Sequence, residues 1–212
     1  MYLTVLKKDL KRKRAMNCVI LLFVILSTMF FASGVNNIVS IASGVDRYLD
    51  MAGMGDYVVL IGEPAGDRPF EKRLRECPAV TGWRREDIIT VISDDISTDG
   101  KKMNGFSNSG LILSPDSQVF RYFDENDLPI EEIPAGKVYI TASIAKKAGL
   151  VTGDRINMDI CGTRFEFEYA GVCKDACLGS DMMDNPRFLV NRAVFDEMTA
   201  DDEIMRFHHS MY

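Results

Sequence analysis

The sequence is short of the residues that usually carry chemistry. Its 212 residues include two histidines, His208 and His209, which are adjacent. Neighbours on a strand point to opposite faces, so this pair does not grip one ion. There is no Cys-x-x-Cys, no His-Glu-x-x-His, no Gly-x-Ser-x-Gly and no glycine-rich phosphate loop. Redox, zinc-protease, serine-hydrolase and nucleotide-cradling chemistry therefore lack motif support. The expectation is a chain that is not an enzyme and has no cofactor and no metal site. "DISTDG", residues 95–100, begins like a calcium loop, with Asp95, Ser97, Asp99 and Gly100 at the first, third, fifth and sixth positions. The twelfth position needs a bidentate Glu and holds Phe106, so the stretch reads as a tight turn with Asp-Gly at its tip.

Disulfides are left open. Cys18 falls in an apolar run, whereas Cys77, Cys161, Cys173 and Cys177 fall beyond it, and four cysteines allow three pairings. Internal repeats and low-complexity tracts are missing too. "SDMMDNP", residues 180–186, places two methionines between acids, either as an adaptable binding surface or as local core filler.

Charge is missing over one long stretch. From Ala15 to Val45 there is none. A helix of about 20 apolar residues spans a bilayer core, and residues 15–35 meet that length. Just before them stand Lys7, Lys8, Lys11, Arg12, Lys13 and Arg14 against one acid, Asp9. Basic flanks stay on the cytoplasmic side, so residues 1–14 are expected inside and everything after residue 35 outside. Leu3, Leu6 and Leu10 share a helical face beside these cations. That pattern suits either a headgroup-level amphipathic helix or a solvated flank.

"FASG", residues 31–34, offers small residues to a signal peptidase, but secretory apolar regions run only about 7–15 residues. Length favours a retained anchor. Ile38, Ile41, Val45 and Tyr48 continue at helical spacing, so residues 36–55 read as a stalk that stops at Gly53 or Gly55. The competing reading breaks the helix near Ser33-Gly34.

Beyond Val45 the chain holds 19 basic and 30 acidic residues, a net of −11. That acidity argues against nucleic acid, which needs a basic face. Residues 56–212 are expected to form one mixed α+β extracytoplasmic domain with antiparallel hairpins. Residues 56–62 read as a buried strand, and 67–77 as a helix capped by Asp67. Residues 88–96, 109–114 and 118–123 read as strands. From residue 136 the pattern is clearest. "GKVYIT" is a strand, and "ASIAKKAG" is a helix capped by Thr141 or Ser143 and stopped by Gly149. "RINMDI" and "RFEFEY" alternate about a "CGT" turn as a hairpin. "RFLV" is a strand, Asn191 caps a helix over "RAVFDEM", and a last strand begins near the two histidines.

This order of basic segment, apolar helix, helical extension and α+β domain resembles the N-terminal part of FtsX/MacB-like ABC transporter permeases. The stretch that carries the resemblance is Gly136–Asp175. There Ala148-Gly149-Leu150, the Gly153-Asp154 turn and Tyr169-Ala170-Gly171-Val172 match that family's extracytoplasmic core domain. The motif is structural: Gly149, Gly153, Asp154 and Gly171 serve turns, not catalysis. The resemblance implies transmission of ATP-driven movement across the membrane, with amphiphilic cargo such as a lipoprotein, peptide or lipid-like molecule. It implies as partners a separate cytoplasmic ABC ATPase, membrane lipid, and remaining permease helices or a second permease copy. Such permeases carry at least three more spans and none follows here, so the chain is expected to be a fragment or a truncated reading frame. The alternative is a single-pass anchored binding or sensor domain. An extracytoplasmic enzyme is the third reading and has no motif behind it.

Overall fold

The computed structural model describes residues 13–62, 69–103, 106, 109–115, 120–176 and 185–212. By its internal contacts the chain divides into two units, Met1–Tyr48 and Leu49–Tyr212.

The first unit is occupied by helix α1, Arg14–Ala52, unbroken over 39 residues, whose last turn belongs to the second unit. No break occurs at Ser33-Gly34. Every side chain from Cys18 to Arg47 is exposed. The helix is long and apolar enough to cross a membrane, with a mean hydropathy of 2.5 over its most apolar window. Polar side chains inside the apolar stretch bond locally: Thr28 Oγ1 donates to the Val24 or the Ile25 carbonyl, at 2.8 and 2.9 Å. Of the six flanking cations, Lys13 and Arg14 are described. Lys7, Lys8, Lys11 and Arg12 lie outside the described residues, as does the Leu3–Leu10 face.

The helix stops at Gly53, which adopts the left-handed φ of 71° that a residue with a Cβ resists. Gly53 N donates to Asp50 O and Met54 N to Leu49 O, the paired closure of a Schellman motif. Ala52 is buried, and its carbonyl accepts a bond from Arg121 N at 2.9 Å.

The second unit is α+β, built on one ten-stranded mixed sheet. Its strands are β1 (Leu60–Ile61), β2 (Glu86–Val91), β3 (Ile96–Thr98), β4 (Lys101–Lys102), β5 (Gly110–Leu113), β6 (Lys137–Thr141), β7 (Arg155–Ile160), β8 (Thr163–Cys173), β9 (Arg187–Val190) and β10 (His208–Met211). The spatial order is β1-β10-β2-β5-β9-β6-β8-β7-β3-β4. β5 with β9 and β6 with β8 run parallel, and the other neighbours are antiparallel. Among the described residues the unit also has three short α-helices, α2 (Pro69–Glu76), α3 (Ala142–Ala148) and α4 (Arg192–Thr199), and a 3₁₀ helix at Ile204–Phe207.

Two apolar clusters form the core. Alternation along the strands sends Ile112, Phe188 and Val190 into one, with Ile144 of α3 and Phe195 and Met198 of α4. It sends Leu111, Leu113 and Leu189 into the other, which Phe120, Tyr122 and Ile133 cover. Central strands β5 and β9 are thus buried throughout, while β7 and β8 alternate buried and wet positions as a hairpin surface should. The β7–β8 turn places Cys161 and Gly162 at φ 53° and 84°, and the β3–β4 turn places Asp99 and Gly100 at 48° and 73°. Both are the two-residue turns whose twist matches a hairpin.

Four expectations need correction. Residues 56–62 do not form a buried strand. Only Leu60–Ile61 is strand, and it is a sheet edge with Leu60 exposed. Residues 88–96 are not one strand, because a 3₁₀ turn at Ser93–Asp95 separates β2 from β3. Residues 120–123 are not a strand but a loop with isolated bridges at Phe123, and 118–119 lie outside the described residues. Thr141 stands before α3 without a side-chain cap. Its Oγ1 instead accepts from Arg187 N at 2.7 Å, tying β6 to β9. Asp67 lies outside the described residues. Asn191 does cap α4, accepting from Ala193 N at 2.9 Å, and its amide donates to Ile133 O at 2.7 Å.

Close packing at β5 generates a prediction. A Cβ on Gly110 would lie 2.6 Å from Phe188 Cε2 and 3.2 Å from Val91 Cγ2. Both neighbours are buried, so neither yields freely. Gly110→Ala should cost about 1–3 kcal/mol by overpacking, read as a lower urea midpoint.

Candidate functional site

In the second unit Tyr212 sits where aromatic side chains gather around open space. Its backbone exchanges two 2.9 Å bonds with Val59, extending the pairing of β10 with β1. Its ring meets Phe70 of α2 edge-on at 5.2 Å and lies 5.9 Å from Trp83. Its hydroxyl donates to Glu71 at 3.5 Å. The Arg75 guanidinium sits 5.7 Å from the Trp83 ring, in cation–π range. Around these groups runs a groove of about 440 Å³, walled by Phe70 and Leu74 of α2, by Val80 and Trp83, and by Tyr57 and Val59. Arg84 and Asp56 supply its charged lining.

A chain of ion pairs braces the wall. Glu71 accepts from Arg85 at 2.9 Å and from Arg75 at 3.5 Å. Arg85 also reaches Asp87 at 3.2 Å, and Asp87 meets His208 Nε2 at 3.1 Å. α2 is thereby joined to β2 and β10. Sequence reasoning missed this groove. Its signals were present: Trp83 is the single tryptophan, and Arg84-Arg85 follows it inside an acidic domain.

A second polar cluster lies within the sheet. Arg187 is fully buried, and its Nε donates to Asp175 at 2.7 Å; Asp175 is itself 2% exposed. Arg187 Nη2 approaches Met211 Sδ at 3.9 Å. Tyr122 donates to Glu86 at 3.1 Å with both side chains buried. Burial pushes the Tyr122 hydroxyl well above its ordinary value, and the Glu86 carboxylate adds to this. Burial likewise pushes the Cys173 thiol and the Tyr169 hydroxyl up to about 12. A thiol held so firmly protonated is no nucleophile.

The turn motif singled out in the sequence lies elsewhere. Gly149 ends α3 at φ 69°, with Leu150 N bonded to Ala145 O. Asp154 Oδ2 accepts from Val151 N at 2.8 Å, while Gly153 N donates to Tyr169 O. Gly171 faces Tyr139, beside the register shift between β6 and β8. These residues hold the α3–β7–β8 connection together. Cys18, Cys77, Cys161 and Cys173 are unpaired thiols, whereas Cys177 and the two methionines of "SDMMDNP" lie outside the described residues. Among the described residues, no three His, Cys, Asp or Glu side chains gather as metal ligands would.

No protein-family model matches the chain, and no curated protein matches it. Among solved structures it is similar to a domain of a "putative Permease protein" from Porphyromonas gingivalis, at 14% identity and a TM-score of 0.42. The likeness covers 71% of this chain and 61% of the other, so it spans less than two thirds of that chain's length.

Two predictions follow from the buried groups. Asp175→Ala removes the carboxylate to which buried Arg187 donates, and should cost about 3–5 kcal/mol, measured by urea unfolding against Asp175→Asn. The second concerns alkali. Tyr122, Tyr169 and Cys173 hold their protons more tightly folded than unfolded, so their contribution is complete below the unfolded values of 9.0 and 10.0. It is lost as pH rises from there towards 12. The urea midpoint should decline from pH 9 upward, and in Cys173→Ala the decline between pH 9 and 10 should be shallower, with the raised Cys161 thiol still contributing there.

Proposed function

We propose that this chain is the N-terminal portion of an ABC-type permease subunit, anchored by α1, with its α+β unit on the outer side of the membrane. The observation that carries this reading is the continuity of α1 over 39 residues. At 1.5 Å per residue such a helix is about 58 Å long, whereas a bilayer core takes up only about 30 Å. The surplus runs to Ala52, the last residue of that one helix.

The basic flank supports an inside N-terminus. Energy comes from a separate cytoplasmic ABC ATPase, and the exposed stripe of Ile38, Ile41 and Val45 packs on remaining permease helices or on a second copy. The cargo in this reading is an amphiphile, a lipoprotein, peptide or lipid-like molecule. The unit works as a mechanical part and not as an enzyme. The groove beside Tyr212 favours a second reading, a membrane-anchored binding or sensor domain.

Detergent extraction from native membranes and affinity purification distinguish the two. The permease reading expects an ABC ATPase to co-purify, and expects a membrane-impermeant maleimide to label exposed Cys77 in intact cells. Labelling that requires permeabilised cells would overturn the orientation. A membrane-bound chain that purifies repeatedly without an ATPase would leave the anchored binding domain.

A further inference from the structure

We infer that the open edge of β1 pairs with β1 of a second copy of this chain, antiparallel about Leu60, so that two sheets join into one. The inference rests on the second unit alone. It holds whether the chain transports or only binds, so it stands or falls apart from the permease reading.

Backbone hydrogen bonding carries it first. Val59 exchanges both of its backbone bonds with Tyr212, and β1 runs antiparallel to β10 with Leu60 opposite Met211 and Ile61 opposite Ser210. Bonded and non-bonded pairs alternate along such a ladder. The N–H and C=O of Val59 and Ile61 therefore point to β10, whereas those of Val58, Leu60 and Gly62 point away from it. β1 is the end strand of the sheet, and among the described residues nothing bonds these outward groups. An edge of this kind is a template for a further strand.

The register singles out a second copy. With Leu60 facing the partner's Leu60 on a two-fold axis, Val58 falls opposite the partner's Gly62 and Gly62 opposite the partner's Val58. Each of these three residues then bonds through both its N–H and its C=O. The axis repeats every bond, as an isologous contact requires. From Tyr57 to Gly62 there is neither charge nor proline, so no like charges meet and no donor is missing.

The side chains agree with that register. Leu60 shares a face with Met211, at the margin of the apolar cluster that holds Leu111, Leu113 and Leu189, and Val58 packs against the same cluster. Leu60 is nevertheless 41% exposed, and the partner's Leu60 would continue the cluster across the axis. On the other face the partner's Ile61 would stand opposite Val59, which is 39% exposed. Two short strands make a small contact, so the dimer is weak and reversible.

Sedimentation of the full chain in detergent micelles should show a monomer–dimer equilibrium in the micromolar range. Leu60→Pro tests the bonds. The Leu60 N–H faces away from β10, so proline leaves the β1–β10 ladder intact and removes the central donor from both copies. Leu60→Lys sets two ammonium groups together on the axis. Each variant should weaken the dimer at least about tenfold, with circular dichroism and Trp83 emission unaltered. Crosslinking reads the register. Facing α-carbons in a bonded antiparallel pair lie about 5.5 Å apart, within disulfide reach. Mild oxidation of Leu60→Cys should therefore join residue 60 to residue 60, as identified by mass spectrometry of the linked peptides. Val151→Cys, exposed in the turn before β7, should not link to itself.

A chain that sediments as a monomer throughout that range overturns the proposal. So does a dimer that persists unweakened in both Leu60 variants, which would assign association to the exposed stripe of α1. Crosslinking of Leu60→Cys no faster than that of Val151→Cys overturns it as well. Should the dichroism of Leu60→Pro change, Leu60→Lys and the crosslink decide.

Discussion

The second unit depends on burying β5 and β9 on both faces. These two adjacent parallel strands have no exposed side chain, so a charged group they carry needs a partner inside the unit. Most of them are Leu, Ile, Val and Phe. The exception is Arg187, a charge in the middle of the sheet. Its pairing with Asp175 brings the end of β8 towards the start of β9, and its backbone N–H is taken by Thr141. Removing water from both ions is expensive, and a buried pair of this sort is weak evidence of stability in itself. What it does enforce is register. If β9 slipped by one residue, Arg187 would face the opposite cluster, away from Asp175.

The same demand explains the polar arrangement around the groove. Glu86 and Tyr122 satisfy one another because both are enclosed. Further out, Glu71, Arg85, Asp87 and His208 form a chain of contacts from α2 to β10. α2 buries no residue completely, so its apolar contribution alone is small. The ion pairs and the contact of Phe70 with Tyr212 fix it in place. The outcome is a firm aromatic wall on a short helix that would be marginal alone.

Local patterns were readable wherever the chain decides structure locally. The hairpin of β7 and β8 follows from strict alternation around Cys161-Gly162, and Asn191 caps α4 as its sequence position demands. The long helix follows from an uncharged run with helical spacing beyond it. Long-range pairing was not readable. Nothing in "DYVVLIG" tells that only Leu60–Ile61 becomes strand, because its partner β10 lies about 150 residues away in the sequence. "RFLV" shows a strand, but not that its arginine is interior. The groove needs residues from 53 to 84 together with Phe120 and Tyr212, and only folding brings them to one place.

The sheet also has two unlike margins. At one, β4 consists of Lys101 and Lys102 alone. An open strand edge is a template for unwanted growth. Lys102 pairs with Asp94 at 3.2 Å, so the charge that discourages a second copy at this edge is that of Lys101. The opposite margin, β1, carries exposed Leu60 and no charge in its two residues. The two ends of this sheet therefore present unlike edges to a second strand.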